Sequence, residues 1–239
     1  MSCSIEILEW DSNFFNIKVG RVTSPILDNY ELSAVLKELK KMKIDLGYYS
    51  SPLPLTLFPG IPYLYDINLV DKKITYLKNI NENIIFSNSV KEYKAQYPDK
   101  KLLQLAVESG IYSRFNVDAK IGRSKYEELY KKWIINSVNK KLAKKVLVYL
   151  DKNIVAGFVT LGEKNSRADI GIIAVDAEYR GKGIGKNLMS SAENWFANKN
   201  YNEMQVITQK DNLPACRLYE SCGYKIDKME YFYHLWKKD

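Results

Sequence analysis

The stretch Ile170–Lys186 constrains the fold of this 239-residue chain more than any other part of its sequence. It begins with an apolar, β-branched run typical of a buried strand, and a short polar turn follows at Asp176–Tyr179. Glycines then occupy alternate positions up to residue 185, and the following residues place apolar side chains at helical spacing. Glycine lets successive backbone N–H groups turn toward one point, and a helix N-terminus adds unpaired N–H groups. The stretch therefore predicts a strand, a glycine turn and a helix that together bind a pyrophosphate.

The glycine spacing distinguishes this turn from two common nucleotide-binding loops. A dinucleotide fold requires G-x-G-x-x-G with an acidic residue about 20 residues later, and a P-loop requires G-x-x-x-x-G-K-[ST]. The chain instead has R-x-x-G-x-G, formed by Arg180, Gly183 and Gly185. The alternative interpretation is a glycine-rich turn that caps an ordinary helix. A second motif helps to distinguish a pyrophosphate-binding turn from a simple helix cap.

The second motif is Asn212–Tyr224, which carries the start and stop signals of a short helix. Asn212 stands two residues before a proline, as an N-cap does, and Gly223 ends the segment. Tyr219 comes seven residues after Asn212, so both side chains can lie on the same side of the helix. A phenol near a departing thiolate can protonate it and so improve it as a leaving group. The alternative for Tyr219 is an aromatic core residue.

The two motifs, R-x-x-G-x-G after a strand and N-x-x-A-x-x-x-Y-x-x-x-G-[FY], together resemble the GNAT acyltransferase superfamily. The resemblance implies a mixed α/β GNAT fold, acetyl-CoA as co-substrate without a metal, and direct attack of an amine on the thioester. It implies Tyr219 as general acid and Asp169, at a strand position where many members carry glutamate, as general base. A surface-facing aspartate is the alternative for Asp169. The implied acetyl-CoA-binding residues are Ile173, Val175, Arg180, Gly181, Lys182, Gly183, Ile184, Gly185, Lys186 and Asn212.

Three further segments, Leu8–Phe15, Ser113–Phe115 and Ile207–Asn212, resemble the TDP-fucosamine (TDP-4-amino-4,6-dideoxygalactose) N-acetyltransferase family. Members of that family carry a small N-terminal domain on a GNAT domain and acetylate the 4-amino group of a nucleotide-linked sugar. The resemblance thus implies a role in surface polysaccharide biosynthesis. We expect a small α/β domain at residues 1–85 and the N-acetyltransferase domain at residues 86–239, with the boundary near the asparagine-rich run Asn79–Asn83.

The candidates for acceptor binding are aromatic side chains and one arginine. An arginine fork suits the diphosphate of a nucleotide sugar, and aromatic faces suit its base and its sugar. Core packing between the domains is the alternative for the aromatic residues near the N-terminus. The predicted acceptor-binding residues are Tyr112, Arg114 and Phe115, with Trp10 and Phe15.

Charge and cysteine content narrow the class of protein. The net charge of +8 suits either nucleic acid or ligands with several phosphates, but the sequence has no helix-turn-helix, zinc-finger or RNP pattern. The three cysteines lack metal-ligand spacing and form no even framework. No apolar run approaches the roughly 18 residues of a membrane span, and the N-terminus has no signal-peptide pattern. We therefore expect a cytoplasmic protein with no nucleic-acid partner; its oligomeric state stays open, a homodimer included.

Two functions besides a nucleotide-sugar N-acetyltransferase stay open on sequence alone. The first is a GNAT acetyltransferase that acts on another small-molecule or protein amine. The second is a non-catalytic acyl-CoA-binding module, whose expected signature is loss of the tyrosine; Tyr219 is present.

Hydrophobic periodicity predicts the order of the remaining elements. A short strand is predicted to start at Ile5, to be interrupted by the run Glu9–Phe15 and to resume as extended structure at Ile17–Val22. The other predicted strands are Asp45–Ser50, Asp66–Val70, Lys73–Leu77, Val90–Ala95, Lys145–Leu150, Ile154–Leu161, Glu203–Thr208 and Tyr231–Trp236, and the predicted helices are Glu31–Met42, Lys100–Ser109, Ser124–Asn139 and Leu213–Ser221. This order predicts a mixed sheet flanked by helices.

Overall fold

The computed structural model of the protein describes residues 4–24, 26–57, 64–80 and 88–238. Strands and helices intermingle along these residues, which confirms the predicted mixed α/β class. The chain divides into two compact units, the first comprising Met1–Lys73 with Lys228–Asp239 and the second comprising Ile74–Asp227. Strand β4 (Tyr65–Asn79) runs from the first unit into the second.

The first unit is a small α/β layer. Its other elements are β1 (Ser4–Ile7), α1 (Glu9–Phe15), β2 (Val19–Thr23), α2 (Asn29–Lys41), β3 (Leu46–Ser51) and β10 (Lys225–Lys237), of which the last begins in the second unit. Strands β1 and β2 are antiparallel, β2 and β3 are parallel, and β3 and β10 are antiparallel. The parallel pair requires a crossover connection, and α2 provides it.

Helix α2 shows how the sequence specifies this unit. The Asp28 carboxylate accepts the Glu31 N–H at 2.8 Å and the Glu31 carboxylate accepts the Asp28 N–H at 3.0 Å, which completes a capping box. One face of the helix is buried in the core of the unit and consists of Leu32, Val35, Leu36 and Leu39. The helical spacing of these residues is what predicts α2 from sequence.

The second unit is a mixed sheet with helices. Its elements are β5 (Val90–Glu92), α3 (Lys100–Ser109), α4 (Arg114–Val117), α5 (Arg123–Val138), β6 (Lys145–Asp151), β7 (Ile154–Lys164), β8 (Arg167–Val175), α6 (Ile184–Ala197), β9 (Glu203–Gln209) and α7 (Leu213–Ser221). The strand order is β9-β8-β7-β6-β5. Strands β5 to β8 pair antiparallel, whereas β8 and β9 are parallel.

Helices cover both faces of this sheet at β7. Phe158 lies in a core cluster with side chains of α3 and α5. A Cβ on the neighbouring Gly157 would lie 3.3 Å from Ile184 and 3.2 Å from Leu188, both on α6. Because adjacent residues of a strand point to opposite faces, α6 covers the face opposite α3 and α5. Val155–Leu161 is accordingly buried throughout.

The predicted helices at Lys100–Ser109 and Leu213–Ser221 are confirmed at both ends. Two predicted strands are instead the single strand β4, in which the polar residues between them continue the extended backbone. The last strand begins at Lys225 rather than at the predicted Tyr231. Its first four residues are exposed and lack the apolar alternation of a buried strand, so the sequence pattern does not predict them. Strand β5 is shorter than predicted and ends at Glu92.

The predicted domain boundary, between residues 85 and 86, lies outside the described residues. In the structure the second unit begins at Ile74, and Lys228–Asp239 belongs to the first unit. This grouping follows from strand pairing, since Tyr231–Trp236 of β10 pairs with Leu46–Ser51 of β3. The predicted division instead places these last residues in the second domain.

Candidate active site

Strand β8 carries a β-bulge where the candidate site begins. The register of β7 and β8 shifts so that Thr160 stands opposite two residues, Gly171 and Ile172. The Thr160 hydroxyl oxygen accepts the Ile172 N–H at 2.8 Å, and a Cβ on Gly171 would lie 2.9 Å from that oxygen. Glycine at 171 therefore leaves room for the hydroxyl, and the extra residue bends β8.

A cavity of about 670 Å³ opens beside this bulge. The parallel pairing of β8 with β9 runs from Ala168 with Met204 to Ile170 with Val206. From there onward both strands line the cavity, and all lining residues belong to the second unit. The separating strands leave backbone N–H and C=O groups available to an extended ligand.

The first part of the cavity wall, here named the glycine end, consists of Arg180, Gly181, Gly183 and the first turn of α6. The φ angles of Gly181 and Gly183 are +78° and +76°. A Cβ at either position would meet no heavy atom within 4 Å, so backbone conformation rather than space requires glycine. The first N–H groups of α6 have no helical partner, and Lys186 adds a positive charge to the wall. The glycine end thus fits the phosphates of a coenzyme.

Asp176 fixes the turn that leads into the glycine end. Its buried carboxylate accepts the Glu178 N–H at 3.1 Å and forms an ion pair with Lys101 of α3. That ion pair holds the pKa of Asp176 below its ordinary value and raises the pKa of Lys101. The Arg180 Nε–H donates to the Val175 carbonyl at 3.2 Å. The turn is thereby attached both to α3 and to the end of β8.

Helix α7 brings the two residues of the second motif to the same cavity. The Asn212 Oδ1 accepts the Ala215 N–H at 3.3 Å and so begins the helix. Tyr219 is buried, with its ring centroid 5.7 Å from that of Tyr76 and 6.4 Å from that of Tyr224. Burial raises the pKa of Tyr219, so its phenol keeps its proton at neutral pH. Asn212 and Tyr219 both line the cavity.

The second part of the wall, here named the aromatic end, comes from α3, α5 and the segment after α3. It consists of Glu108, Ser109, Ile111, Tyr112, Tyr130 and Trp133. A Cβ on Gly110 would lie 2.2 Å from the Tyr130 Cζ, so the ring rests directly on this glycine. The Trp133 ring centroid lies 4.8 Å from that of Tyr130 and 5.8 Å from that of Phe115. These contacts fix the position of the aromatic wall.

Most of the residues predicted to bind acetyl-CoA lie in the cavity wall. They are Ile173, Val175, Arg180, Gly181, Gly183, Ile184, Gly185, Lys186 and Asn212. The remaining one, Lys182, has its Nζ 4.8 Å from the Tyr179 ring centroid and does not contribute to the wall. Their roles in binding stay predictions.

Asp169, the predicted general base, lies one residue before the first lining residue of β8. Its carboxylate accepts a hydrogen bond from the Gln205 side-chain amide at 2.8 Å. Its catalytic role stays a prediction.

Of the predicted acceptor-binding residues in the second unit, Tyr112 lines the cavity, whereas Arg114 and Phe115 do not. Phe115 is 5% exposed and packs against Trp133, and the Arg114 guanidinium lies 4.2 Å from the Phe115 ring centroid. Phe115 therefore packs against Trp133 without lining the cavity, and Arg114 packs against Phe115.

The other two candidates, Trp10 and Phe15, belong to α1 in the first unit. The Trp10 ring stacks on Phe14 with centroids 5.2 Å apart, and Phe15 contacts Phe14 edge to face at 4.9 Å. Acceptor binding by Trp10 and Phe15 stays a prediction.

Sequence reasoning missed five lining residues of the aromatic end, namely Glu108, Ser109, Ile111, Tyr130 and Trp133. The sequence does place Tyr130 and Trp133 three residues apart on a predicted helix, which puts them on one face. Nothing in the spacing separates that face from an ordinary core face.

Within the described ranges, no helix has the length and apolar character needed to cross a membrane. In those same residues, no group of three or more His, Cys, Asp or Glu side chains is placed to hold a metal ion.

Known proteins match the part of the chain that carries this site. The profile of the Acetyltransferase (GNAT) family matches residues 101–224, which are 124 of the 239 residues. A dTDP-fucosamine acetyltransferase from Escherichia coli O6:H1 is 27% identical over 240 residues, covering 96% of each chain. The spore coat polysaccharide biosynthesis protein SpsD of Bacillus subtilis is 24% identical over 135 residues, covering 56% of this chain and 46% of that protein. Against SpsD and other curated relatives, the chain spans about half of the relative's length.

Solved structures show the same fold at low sequence identity. The GCN5-related N-acetyltransferase from Sphaerobacter thermophilus matches with a TM-score of 0.54 at 11% identity, covering 99% of this chain and 77% of that one. The family match and this likeness confirm the fold predicted from the two motifs.

Proposed function

Because the chain belongs to the Acetyltransferase (GNAT) family, we propose that it transfers acetyl from acetyl-CoA to the 4-amino group of a nucleotide-linked amino-dideoxy sugar. The observation that carries the proposal is that one cavity joins the glycine end to the buried phenol of Tyr219. The likeness to a dTDP-fucosamine acetyltransferase over 96% of both chains supports the acceptor class. The likeness to SpsD supports a role in surface polysaccharide biosynthesis. The cytoplasmic location stays a prediction.

The glycine end suits the pyrophosphate of acetyl-CoA. The unpaired N–H groups at the start of α6 would donate to phosphate oxygens, and Arg180 and Lys186 would add charge-assisted hydrogen bonds. The side chain of Asn212 uses its carbonyl oxygen to cap α7, which leaves its NH₂ group as a donor for the amides of the pantetheine arm.

The chemistry supplied by acetyl-CoA is a thioester whose C–S bond breaks as an amine attacks. Tyr219 would donate its proton to the sulfur and recover one from the new amide nitrogen. Because burial raises its pKa, Tyr219 begins each cycle protonated, as a general acid must. Because the amine attacks the thioester directly, the reaction needs no covalent intermediate with the protein.

One observation favours a second candidate, a GNAT acetyltransferase that acts on another cationic amine. The cationic lining residues, Arg180 and Lys186, lie at the glycine end, whereas the aromatic end carries the carboxylate of Glu108. A compact cationic amine carries no diphosphate, so such an acceptor would need no arginine at the aromatic end. The assignment of Arg114 to a nucleotide diphosphate stays a prediction.

The test is an acceptor panel with acetyl-CoA and detection of the released thiol. The panel contains TDP- and UDP-linked 4-amino-4,6-dideoxyhexoses beside spermidine and a peptide amine. We expect at least one nucleotide sugar to have the highest kcat/KM. Faster acetylation of spermidine or of the peptide than of every nucleotide sugar would overturn this acceptor class and favour the second candidate.

A further inference from the structure

The aromatic end contains a carboxylate to which the motifs assign no role. Glu108 lies in the last turn of α3 and is the only acidic residue among those lining the cavity, every one of which is a described residue. The cavity therefore has positive charge at the glycine end, from Arg180 and Lys186, and negative charge beside the aromatic wall. The phosphates of acetyl-CoA and the ammonium group of an acceptor would be attracted to different ends.

The surroundings of Glu108 suit an organic cation. The Gln104 side-chain amide donates to one carboxylate oxygen of Glu108 at 2.8 Å, which restrains the group on the helix. Tyr130 and Trp133 form the adjacent wall. A carboxylate next to aromatic faces offers an ammonium group both a charge-assisted hydrogen bond and cation–π contact.

Titratable groups surround Glu108 on its neighbouring elements. Lys101 lies on the same helix, Tyr126 and Tyr130 lie on α5, and Tyr112 lies in the following segment. Lys101 is engaged by Asp176, and the lining residues of β8 are apolar or glycine. The carboxylate of Glu108 therefore remains available to a cation that enters the cavity.

The other candidate base is less well placed. Both carboxylates accept a side-chain amide hydrogen bond, Asp169 from Gln205 and Glu108 from Gln104, but Asp169 lies outside the cavity wall. Glu108 reaches the wall from a different element, and it lies on the same wall as Tyr130 and Trp133. Cavity lining and charge thus favour Glu108 as the group that meets the acceptor.

We propose, on the basis of the function above, that Glu108 binds the ammonium form of the acceptor and removes its proton before the nitrogen attacks the thioester. The carboxylate takes one proton from R–NH₃⁺, and the freed lone pair forms the C–N bond as the C–S bond breaks. The thiolate takes a proton from Tyr219, and Tyr219 recovers one from the new amide nitrogen. Glu108 then releases its proton to water, so ammonium and thioester give amide, thiol and one proton.

The test compares Glu108→Gln with Glu128→Gln, a matched loss of a carboxylate on the outer face of α5, where Glu128 pairs with Lys125 and Lys132. At neutral pH, Glu108→Gln should lower kcat/KM for the acceptor by about 10²–10³-fold, with the KM for acetyl-CoA unchanged. Above the pKa of the acceptor amine the deficit should shrink below about tenfold, because the amine is then neutral without a base. Glu128→Gln should behave as the wild type at every pH.

A deficit that is the same at every pH, or no deficit, would overturn the proposal. If Asp169→Asn alone shows the pH-dependent deficit, the base is Asp169. Glu108→Asp keeps the charge and should recover part of the activity, which gives a second test if the glutamine variant folds poorly. The measurements use whichever panel amine reacts fastest, so failure of the nucleotide sugars and failure of Glu108 are separate results.

Discussion

The glycine end and the aromatic end of the cavity are built by different means. At the glycine end, the backbone shapes the wall, since Gly181 and Gly183 take positive φ angles and the first N–H groups of α6 are unpaired. At the aromatic end, side chains of two helices form the wall, and Tyr130 is seated on Gly110. A backbone site can bind the same coenzyme in many proteins, whereas a side-chain site can change with the acceptor.

The two ends also differ in how substitutions should act. A change at the glycine end should alter affinity for acetyl-CoA and leave acceptor recognition intact. A change at the aromatic end should do the reverse. Tyr219 lines the same cavity and should affect turnover while leaving both affinities nearly unchanged.

The largest effect is expected for Tyr219→Phe, which tests the chemistry that the two ends share. The substitution removes only the hydroxyl, so turnover should fall by about 10²–10⁴-fold if that hydroxyl protonates the thiolate. The ring contacts with Tyr76 and Tyr224 remain, so stability and the KM for acetyl-CoA should change little. Steady-state and single-turnover kinetics measure the effect; an unchanged rate of the chemical step would make Tyr219 a core residue.

The next effect is expected for Gly183→Ala at the glycine end. An alanine at a φ of +76° is strained by about 1–3 kcal/mol, and relief of that strain would move the turn. Affinity for acetyl-CoA should fall by about 5- to 150-fold, the range that corresponds to this strain. Gly162→Ala is the matched control, because a Cβ there makes only ordinary contacts, the nearest at 3.5 Å. Calorimetric titration with acetyl-CoA measures the affinity. Full affinity in the variant would contradict the proposal that backbone N–H groups of this turn bind the coenzyme.

A smaller effect is expected for Gly110→Ala at the aromatic end. The new Cβ would lie 2.2 Å from the Tyr130 Cζ, so the ring must move. Overpacking of this kind costs about 1–3 kcal/mol, and the KM of the acceptor should rise while that of acetyl-CoA stays constant. In a double-mutant cycle with Tyr130→Ala, the stability costs should be strongly non-additive. Additive costs would show that ring and glycine do not act together.

The smallest effect is expected for Asp176→Asn, which removes a charge behind the glycine end. Because the folded-state pKa of Asp176 is lowered, its ion pair contributes stability above the ordinary pKa of aspartate. That contribution is lost as the pH falls through the lowered pKa. The variant should be less stable by about 1 kcal/mol at neutral pH and equal to the wild type in acid. Denaturant unfolding at several pH values measures this, and a pH-independent difference would contradict the ion-pair origin.

The contrast between the two ends explains what the sequence could predict. Glycines with positive φ, an N-cap and a helix start are local requirements, so Ile170–Lys186 and Asn212–Tyr224 could be identified by spacing alone. The aromatic end depends on α3 and α5 packing together, and its residues lie up to 25 positions apart, from Glu108 to Trp133. No local pattern separates such residues from core residues.

The same reasoning applies to the fold. Amphipathic helices such as Lys100–Ser109 were predictable because their periodicity is local. The run Glu9–Phe15 was expected to interrupt a strand and is instead a short helix, in which aromatic residues pack on one another without clear periodicity. The pairing of β10 with β3 joins residues far apart in the chain, and no local signal specifies such a partner.

The pairing of β10 with β3 also reverses the usual order in which the parts of a protein are completed during synthesis. Ribosomes add about 5–20 residues per second, so these 239 residues take roughly 10 to 50 s to synthesise. For most of that time β3 lacks its last neighbour, since β10 begins only at Lys225. The second unit is continuous from Ile74 to Asp227 and can be completed first. The unit that begins earlier in the sequence is therefore the one whose sheet receives its last strand later.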